Sequence, residues 1–182
     1  MFGIWDLWFG ICHEIIYMVT IRPLALSDAP CMAELGDNEK IRTNLRDGFP
    51  NPLTAELAEG MIRKWMERVP ATFFAIEWNG EYVGNISLSP GVDVYRKTAE
   101  IGYFIGEPYW NKGIATQAVN LIVEFGFKEL GLARIHTGVF EYNHASMRVL
   151  EKCGFELDGV FKKAVMKNTR LCARAMGNRG SE

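Results

Sequence analysis

The chain has 182 residues, 48% of them hydrophobic and 23% charged, with a formal net charge of −2. That length suffices for one domain with a buried core, and the composition is that of a soluble globular protein. No Lys/Arg block points to nucleic acid, and the four cysteines (Cys12, Cys31, Cys153, Cys172) and three histidines show no ligand or disulfide spacing, so no metal is expected and a reducing cytoplasm fits.

Residues 1–18 form an apolar N-terminal extension rich in aromatics but interrupted by Asp6, His13 and Glu14. The run lacks the basic start of a secretory signal and the length of apolar chain that a membrane span needs, so no membrane partner is expected. Gly3, Asp6, Gly10, His13 and Tyr17 recur at helical spacing. Two readings stand side by side: an amphipathic helix, or sequence upstream of a natural start at Met18.

Val19–Leu24 alternates and predicts a strand. Ser27 or Asp28 can cap a helix beginning near Ala29-Pro30, and Thr54 can cap the next, with Leu57, Met61, Ile62 and Trp65 on one face and Pro70 as its stop. Thr72–Trp78 and Tyr82–Leu88 flank Asn79-Gly80, a strong hairpin signal. Thr98–Ile105 continues the meander. A long helix from Ile114 to about Leu130 should turn Ile114, Ala118, Leu121, Ile122 and Phe125 inward, stopped by Gly131. Arg134–Phe140 predicts a strand, Ala145–Lys152 a short helix, and Phe155–Val165 with Leu171–Met176 a closing hairpin, leaving residues 177–182 as a tail. The result is a mixed α/β domain over residues 19–176 with a long crossover helix.

The stretch AEIGYFIGEPYWNKGIAT, Ala99 to Thr116, carries most of the chemistry. A strand feeding a small-residue corner that opens a helix makes an anion site, because first-turn N–H groups are unpaired and the helix dipole favours negative charge. The dipole alone is worth about 0.3–1 kcal/mol, so several aimed N–H groups must share the work. An ordinary glycine turn before a helix is the plainer alternative for this corner taken by itself.

The order of elements, the string IGYFIGEPYWNKGIATQAV, and the later ELGLARIHTG and VFEYNHASMRVLEKCGF together resemble the GNAT superfamily of acetyl-CoA-dependent N-acetyltransferases. The likeness is closest to the branch of ribosomal-protein N-terminal acetyltransferases and their small-molecule relatives. It covers about Val19 to Met176. It implies a mostly antiparallel sheet of six to seven strands flanked by about four helices, with a central splayed strand pair. It also implies an acyltransferase with acetyl-CoA as cosubstrate and a primary amine as acceptor. The apolar load is consistent with a homodimer.

The family's pyrophosphate motif falls on Trp110-Asn111-Lys112-Gly113-Ile114-Ala115, with Thr116 next. Trp110 replaces the usual polar first residue. That departure is tolerable because backbone N–H groups do most of the holding and need small residues beside them. By the same resemblance, Phe104 and Ile105 offer backbone to the pantetheine amides. Asn143 reaches the pantetheine arm and Ser146 faces the cofactor sulfur. The plainer roles for these two are a helix cap and a local backbone hydrogen bond.

Many relatives place a tyrosine on the last helix as the acid for the leaving thiolate, and here that position is Leu150. Ser146 is the nearest matching donor, with Tyr142 as a substitute. A thiol has a reference pKa of about 8.5, so a hydroxyl that hydrogen-bonds the thiolate can suffice. Glu100 resembles the glutamate base of histone-type relatives but sits one residue out of register, and Glu141 is a second candidate. Either carboxylate could equally be a solvated surface group. Neutralising a lysine at pH 7 costs about 4.6 kcal/mol against about 1.4 for an α-amine, so a site with no secure base suits α-amines. Two other readings are a GNAT-like module that binds acyl-CoA without catalysis, and a protein that docks a partner through the aromatic extension. The resemblance shapes the acceptor site from the first helices and the closing hairpin, where Asp37, Glu39, Arg42, Asp47 and Phe49 stand. Leu171–Met176 departs from the expected acidic-aromatic final strand.

Overall fold

The computed structural model describes residues 18–181. The helix proposed for residues 1–17 lies outside them. Strand β1 (Val19–Pro23) leads through a 3-10 turn to helices α1 (Ala29–Gly36), α2 (Glu39–Arg42) and α3 (Ala55–Met66). Next come β2 (Phe73–Trp78), β3 (Glu81–Pro90), β4 (Thr98–Ile105), α4 (Ile114–Lys128), β5 (Arg134–Phe140), α5 (His144–Lys152), β6 (Glu156–Lys167) and β7 (Arg170–Gly180). Among the described residues the seven strands form one sheet in the order β1-β2-β3-β4-β5-β7-β6. Every pairing is antiparallel except β4 with β5. This is the mixed, mostly antiparallel architecture expected from the element order, with the four-residue α2 as an addition. None of the described helices is long and apolar enough to cross a membrane.

Local chemistry explains the elements. Asn79 and Gly80 both take positive φ, 56° and 84°, as a two-residue hairpin turn requires. The Thr54 hydroxyl accepts from the Leu57 N–H, and the Asn143 carboxamide oxygen accepts from the Ser146 N–H, so α3 and α5 start where their cap residues stand. β7 runs through residues 177–180, read from sequence as a tail, because those residues pair with Arg134 to Thr137 of β5.

The sheet is covered on both faces. On one lie α4 and α5, with Ile122 of α4 buried over Ile76, Ile86, Leu88, Ile101 and Ile135 of the sheet. On the other, α1 and α3 pack over Ala75, Tyr82 and Phe104. The inward faces of two helices differ from expectation. Leu57 is 47% and Leu121 37% exposed, while Ala58, Ile62, Val119, Ile122 and Val123 are buried. Ile62, Ile114, Ala118 and Ile122 are buried as expected, and Ala58, Val119 and Val123 join them where Leu57 and Leu121 do not. On α4, Gly126 lets the sheet approach: a Cβ there would lie 2.8 Å from Ile135 and 2.9 Å from Leu88.

The first helix is pinned to β1 by charge. Arg22 donates to both oxygens of the buried Asp28 at 2.8 and 2.7 Å and to Glu77 at 2.7 Å, and the Ala25 N–H donates to Asp28 at 2.8 Å. Burial alone would raise the Asp28 pKa, but the Arg22 and Ala25 hydrogen bonds and the Arg22 charge outweigh it and hold the carboxyl below its ordinary range. A lowered native pKa stabilises the fold fully above the unfolded value of about 3.9 and loses that contribution as pH falls through the native value. Asp28→Asn is therefore expected to cost about 1–3 kcal/mol at pH 7, with the gap to wild type closing in acid. Urea unfolding at pH 7 and pH 3 checks both statements.

Candidate active site

β4 and β5 share three paired positions, Thr98–Arg134, Ala99–Ile135 and Glu100–His136. Beyond them no ladder bonds join the two strands, which leaves a wedge in the middle of the sheet. Backbone parity decides which groups face it. The Gly106 N–H donates to the Val83 carbonyl at 2.9 Å, so the antiparallel alternation gives β3 the backbone groups of Phe104 and Gly102. On the other edge the Lys97 carbonyl accepts from the Ala133 N–H at 2.7 Å, so odd-numbered residues face β5. The wedge-facing backbone next to the loop therefore belongs to Tyr103 and Ile105. Of the two residues expected to offer backbone there, Phe104 has its main chain paired with Asn85 and its ring edge-on against Phe49 at 6.1 Å.

From Ile105 the chain turns through a 3-10 segment, Glu107–Tyr109, into the Trp110–Gly113 corner. The Trp110 indole donates to the Ile105 carbonyl at 2.7 Å and so clamps the corner onto the end of β4. The tryptophan at the usual polar position thus has a structural task. Asn111 and Gly113 both take left-handed φ, 61° and 75°. Gly113 is the N-cap of α4, with no side chain capping the helix. A Cβ on Gly113 would meet nothing within 4 Å, so the space beside it is open. The first-turn N–H groups of Ile114, Ala115 and Thr116 are those a helix leaves unpaired. The Lys112 ammonium lies 4.7 Å from the Trp78 ring centroid and 5.5 Å from that of Tyr109, close to the corner. This set suits a phosphorylated ligand whose pendant chain runs into the wedge.

The start of α5 lies against the same gap. Asn143 uses its side-chain oxygen on the Ser146 N–H at 3.1 Å, which fixes the first turn and leaves its amide N–H₂ to other partners. The Ser146 hydroxyl lies 2.7 Å from the phenol of Tyr103. Burial pushes that phenol up to about 12, with the Ser146 bond partly opposing it. Sequence reasoning missed Tyr103; its odd parity on β4, shared with the core residues Ala99, Ile101 and Ile105, was the available signal. At the far end of α5 the buried Cys153 thiol donates to the Thr116 carbonyl at 3.4 Å, tying α5 to the first turn of α4.

The opposite face of the wedge carries charge. Arg46 donates through one nitrogen to both oxygens of Glu100 at 2.6 Å, and Arg174 donates to the same carboxylate at 2.7 Å. Arg174 reaches Glu100 by lying across Gly138, where a Cβ would come within 1.8 Å of its guanidinium. Burial would raise the Glu100 pKa, but the two arginines together hold it below the ordinary carboxylate range. Glu100 is thereby a poor proton acceptor. Its strand partner His136 is lowered chiefly by burial, so the imidazole is neutral at pH 7. The other two sequence candidates are occupied elsewhere. Glu141 accepts from the Ala173 N–H at 3.2 Å, and the Tyr142 hydroxyl donates to the Thr43 carbonyl at 2.9 Å.

Beside this face a cavity of about 280 Å³ is lined by Arg42, Arg46, Asp47, Phe49, Lys167 and Asn168, among others. One wall is the β6–β7 turn, held by Lys167, whose buried ammonium donates to the Leu45 carbonyl at 2.7 Å and to Asp47 at 2.6 Å. Of the early polar residues, Asp37 accepts from the Leu53 N–H, and Glu39 pairs with Arg42. Among the described residues no cluster of three or more His, Cys, Asp or Glu is placed to hold a metal ion.

Residues 18–156 match the model of the acetyltransferase (GNAT) domain. A probable N-acetyltransferase of Bacillus subtilis (strain 168), YjcK, is 34% identical over 163 residues, 82% of this chain and 87% of that protein. Spermidine N(1)-acetyltransferase of Escherichia coli (strain K12) is 29% identical over 145 residues, 79% and 75% of the two chains. Mycobacterium smegmatis RimJ, solved in complex with CoA-disulfide, superposes with a TM-score of 0.81 at 22% identity over 90% of this chain and 82% of that one. The Trp110–Gly113 corner, the splayed strands and these likenesses converge: the chain belongs to the GNAT family and is an N-acetyltransferase.

Proposed function

We propose that this chain transfers the acetyl group of acetyl-CoA directly to the primary amine of an acceptor, a protein N-terminus or a small molecule, in a ternary complex. The observation that carries this reading is the left-handed Gly113 opening an uncapped α4 at the mouth of the β4–β5 wedge. Backbone N–H groups from Lys112 to Thr116 hold the pyrophosphate, and Gly113 and Ala115 give it room. Ile105 and Asn143 guide the pantetheine arm. A wedge-facing N–H of β4 polarises the thioester carbonyl. The Ser146 hydroxyl donates to the sulfur as the thiolate leaves. No cysteine or serine is hydrogen-bonded to a histidine among the described residues, which favours direct attack over a covalent enzyme intermediate.

The acceptor enters from the face bearing Glu100, Arg46 and Arg174. Because two arginines weaken Glu100 as a base, the amine loses its proton mainly before it binds, and that step favours weakly basic amines. An α-amine is expected to turn over faster than a lysine ε-amine at pH 7, by up to about 200-fold from the difference in neutral fraction alone. Initial rates with a peptide bearing one free α-amine, against its N-blocked counterpart bearing one lysine, check this. A preference for the lysine would contradict it. Initial-velocity lines are expected to intersect when both substrates are varied, and parallel lines would rule out the ternary complex.

A further inference from the structure

We propose that Tyr103 is a positioning residue for the leaving-thiolate step, its phenol orienting the Ser146 hydroxyl so that this hydroxyl's own hydrogen points at the cofactor sulfur. The inference rests on the reading that acetyl transfer takes place in the wedge beside Ser146. It gives the site a second hydroxyl where Leu150 stands in place of a tyrosine.

Three observations carry it. First, β4 and β5 stop pairing at Glu100–His136, so Tyr103 stands three residues into the gap, where β5 offers it no ladder partner. Second, its side chain emerges on the α4–α5 face, where it packs against the core beneath these helices, and its phenol oxygen lies 2.7 Å from the Ser146 hydroxyl oxygen. Third, Ser146 is itself held, because the Asn143 side chain takes its N–H and sets the first turn of α5. Two hydroxyls at this separation must share one hydrogen between them. The phenol is the more acidic, so it donates, and the serine hydrogen is left free to turn toward another acceptor.

Burial pushes the phenol up to about 12, so Tyr103 keeps its proton at every working pH. It therefore acts through orientation rather than by giving up a proton. The amine nitrogen forms a bond to the thioester carbonyl carbon, the C–S bond breaks, and the sulfur leaves with the electron pair. The proton released by the attacking amine passes to water. The thiolate, with a thiol pKa of about 8.5, is stabilised by the Ser146 O–H and is protonated from solvent. Moving a proton from Tyr103 to that sulfur would run uphill, and the balance does not need it.

The test is single-turnover acetyl transfer by wild type, Tyr103→Phe, Ser146→Ala and the double variant, with CoA affinity by calorimetry and melting temperature on the same samples. Tyr103→Phe keeps the ring, so packing survives. It is expected to slow transfer about 3- to 10-fold, as loss of one neutral hydrogen bond implies, and to leave CoA affinity within about twofold. Ser146→Ala, which removes a bond to a charged sulfur, is expected to slow transfer more, about 10- to 100-fold. The double variant should be no slower than Ser146→Ala, because Tyr103 works through that serine. Rate losses that multiply in the double variant would overturn the proposal. So would a Tyr103→Phe variant that binds CoA more tightly at an unchanged rate, which would make the bond a latch across the wedge. Absence of transfer by wild type with any amine would defeat the proposed function itself, a separate outcome.

Discussion

Gly113→Val is expected to raise the dissociation constant for CoA by at least about 100-fold while the protein stays folded. Gly113 sits at φ 75°, and an L-residue with a side chain pays about 1–2 kcal/mol to adopt that conformation. The strain alone does not remove binding. The larger effect comes from position: a Cβ there meets no protein atom within 4 Å, so a valine would occupy the space that the helix N–H groups face. Each hydrogen bond to a charged group is worth about 1.5–3 kcal/mol, and losing two exceeds the 100-fold mark. Because the protein itself is not crowded, the melting temperature should fall by only a few degrees. Calorimetric titration with CoA checks this, with Gly113→Ala as an intermediate case. An unchanged affinity in Gly113→Val would show that the phosphates bind elsewhere.

Ile122→Ala is expected to cost about 2–5 kcal/mol of stability, a large share of the 5–15 kcal/mol typical of a domain. Ile122 is fully buried on α4, in the cluster that joins this helix to the sheet. Truncation leaves a cavity in the platform that presents the Trp110–Gly113 corner. Leu121, one residue earlier, is 37% exposed, and its truncation to alanine should cost less than about 1 kcal/mol. Urea unfolding of both variants separates two descriptions of α4. The sequence pattern places both residues inward, whereas the structure buries only Ile122. Equal losses would contradict the observed packing.

The parts legible in sequence are those decided by neighbours along the chain. Asn79-Gly80 makes its own hairpin, Asn143 and Thr54 cap the helices that follow them, and Gly113 marks a helix entry next to an apolar strand. Contacts made across the chain were not legible. β7 inserts between β5 and β6, and its last residues pair with β5 rather than forming a tail, because a partner strand more than 30 residues away accepts them. The Arg46–Glu100–Arg174 cluster joins three distant segments and depends on the bare backbone of Gly138. Nothing near Glu100 in the sequence signals that its carboxylate is already taken. Backbone parity is a subtler case: the β3–β4 register gives the main chain of Phe104 to β3 and leaves that of Tyr103 and Ile105 facing the wedge.

Acetyl transfer in the wedge is tested most directly by release of CoA thiol from acetyl-CoA in the presence of a panel of amines, with the mass of each acceptor read in the same reaction. The expected result is thiol release that depends on an α-amine acceptor, with one acetyl group gained by the acceptor for each thiol released. A protein that binds CoA yet releases no thiol with any amine would contradict it.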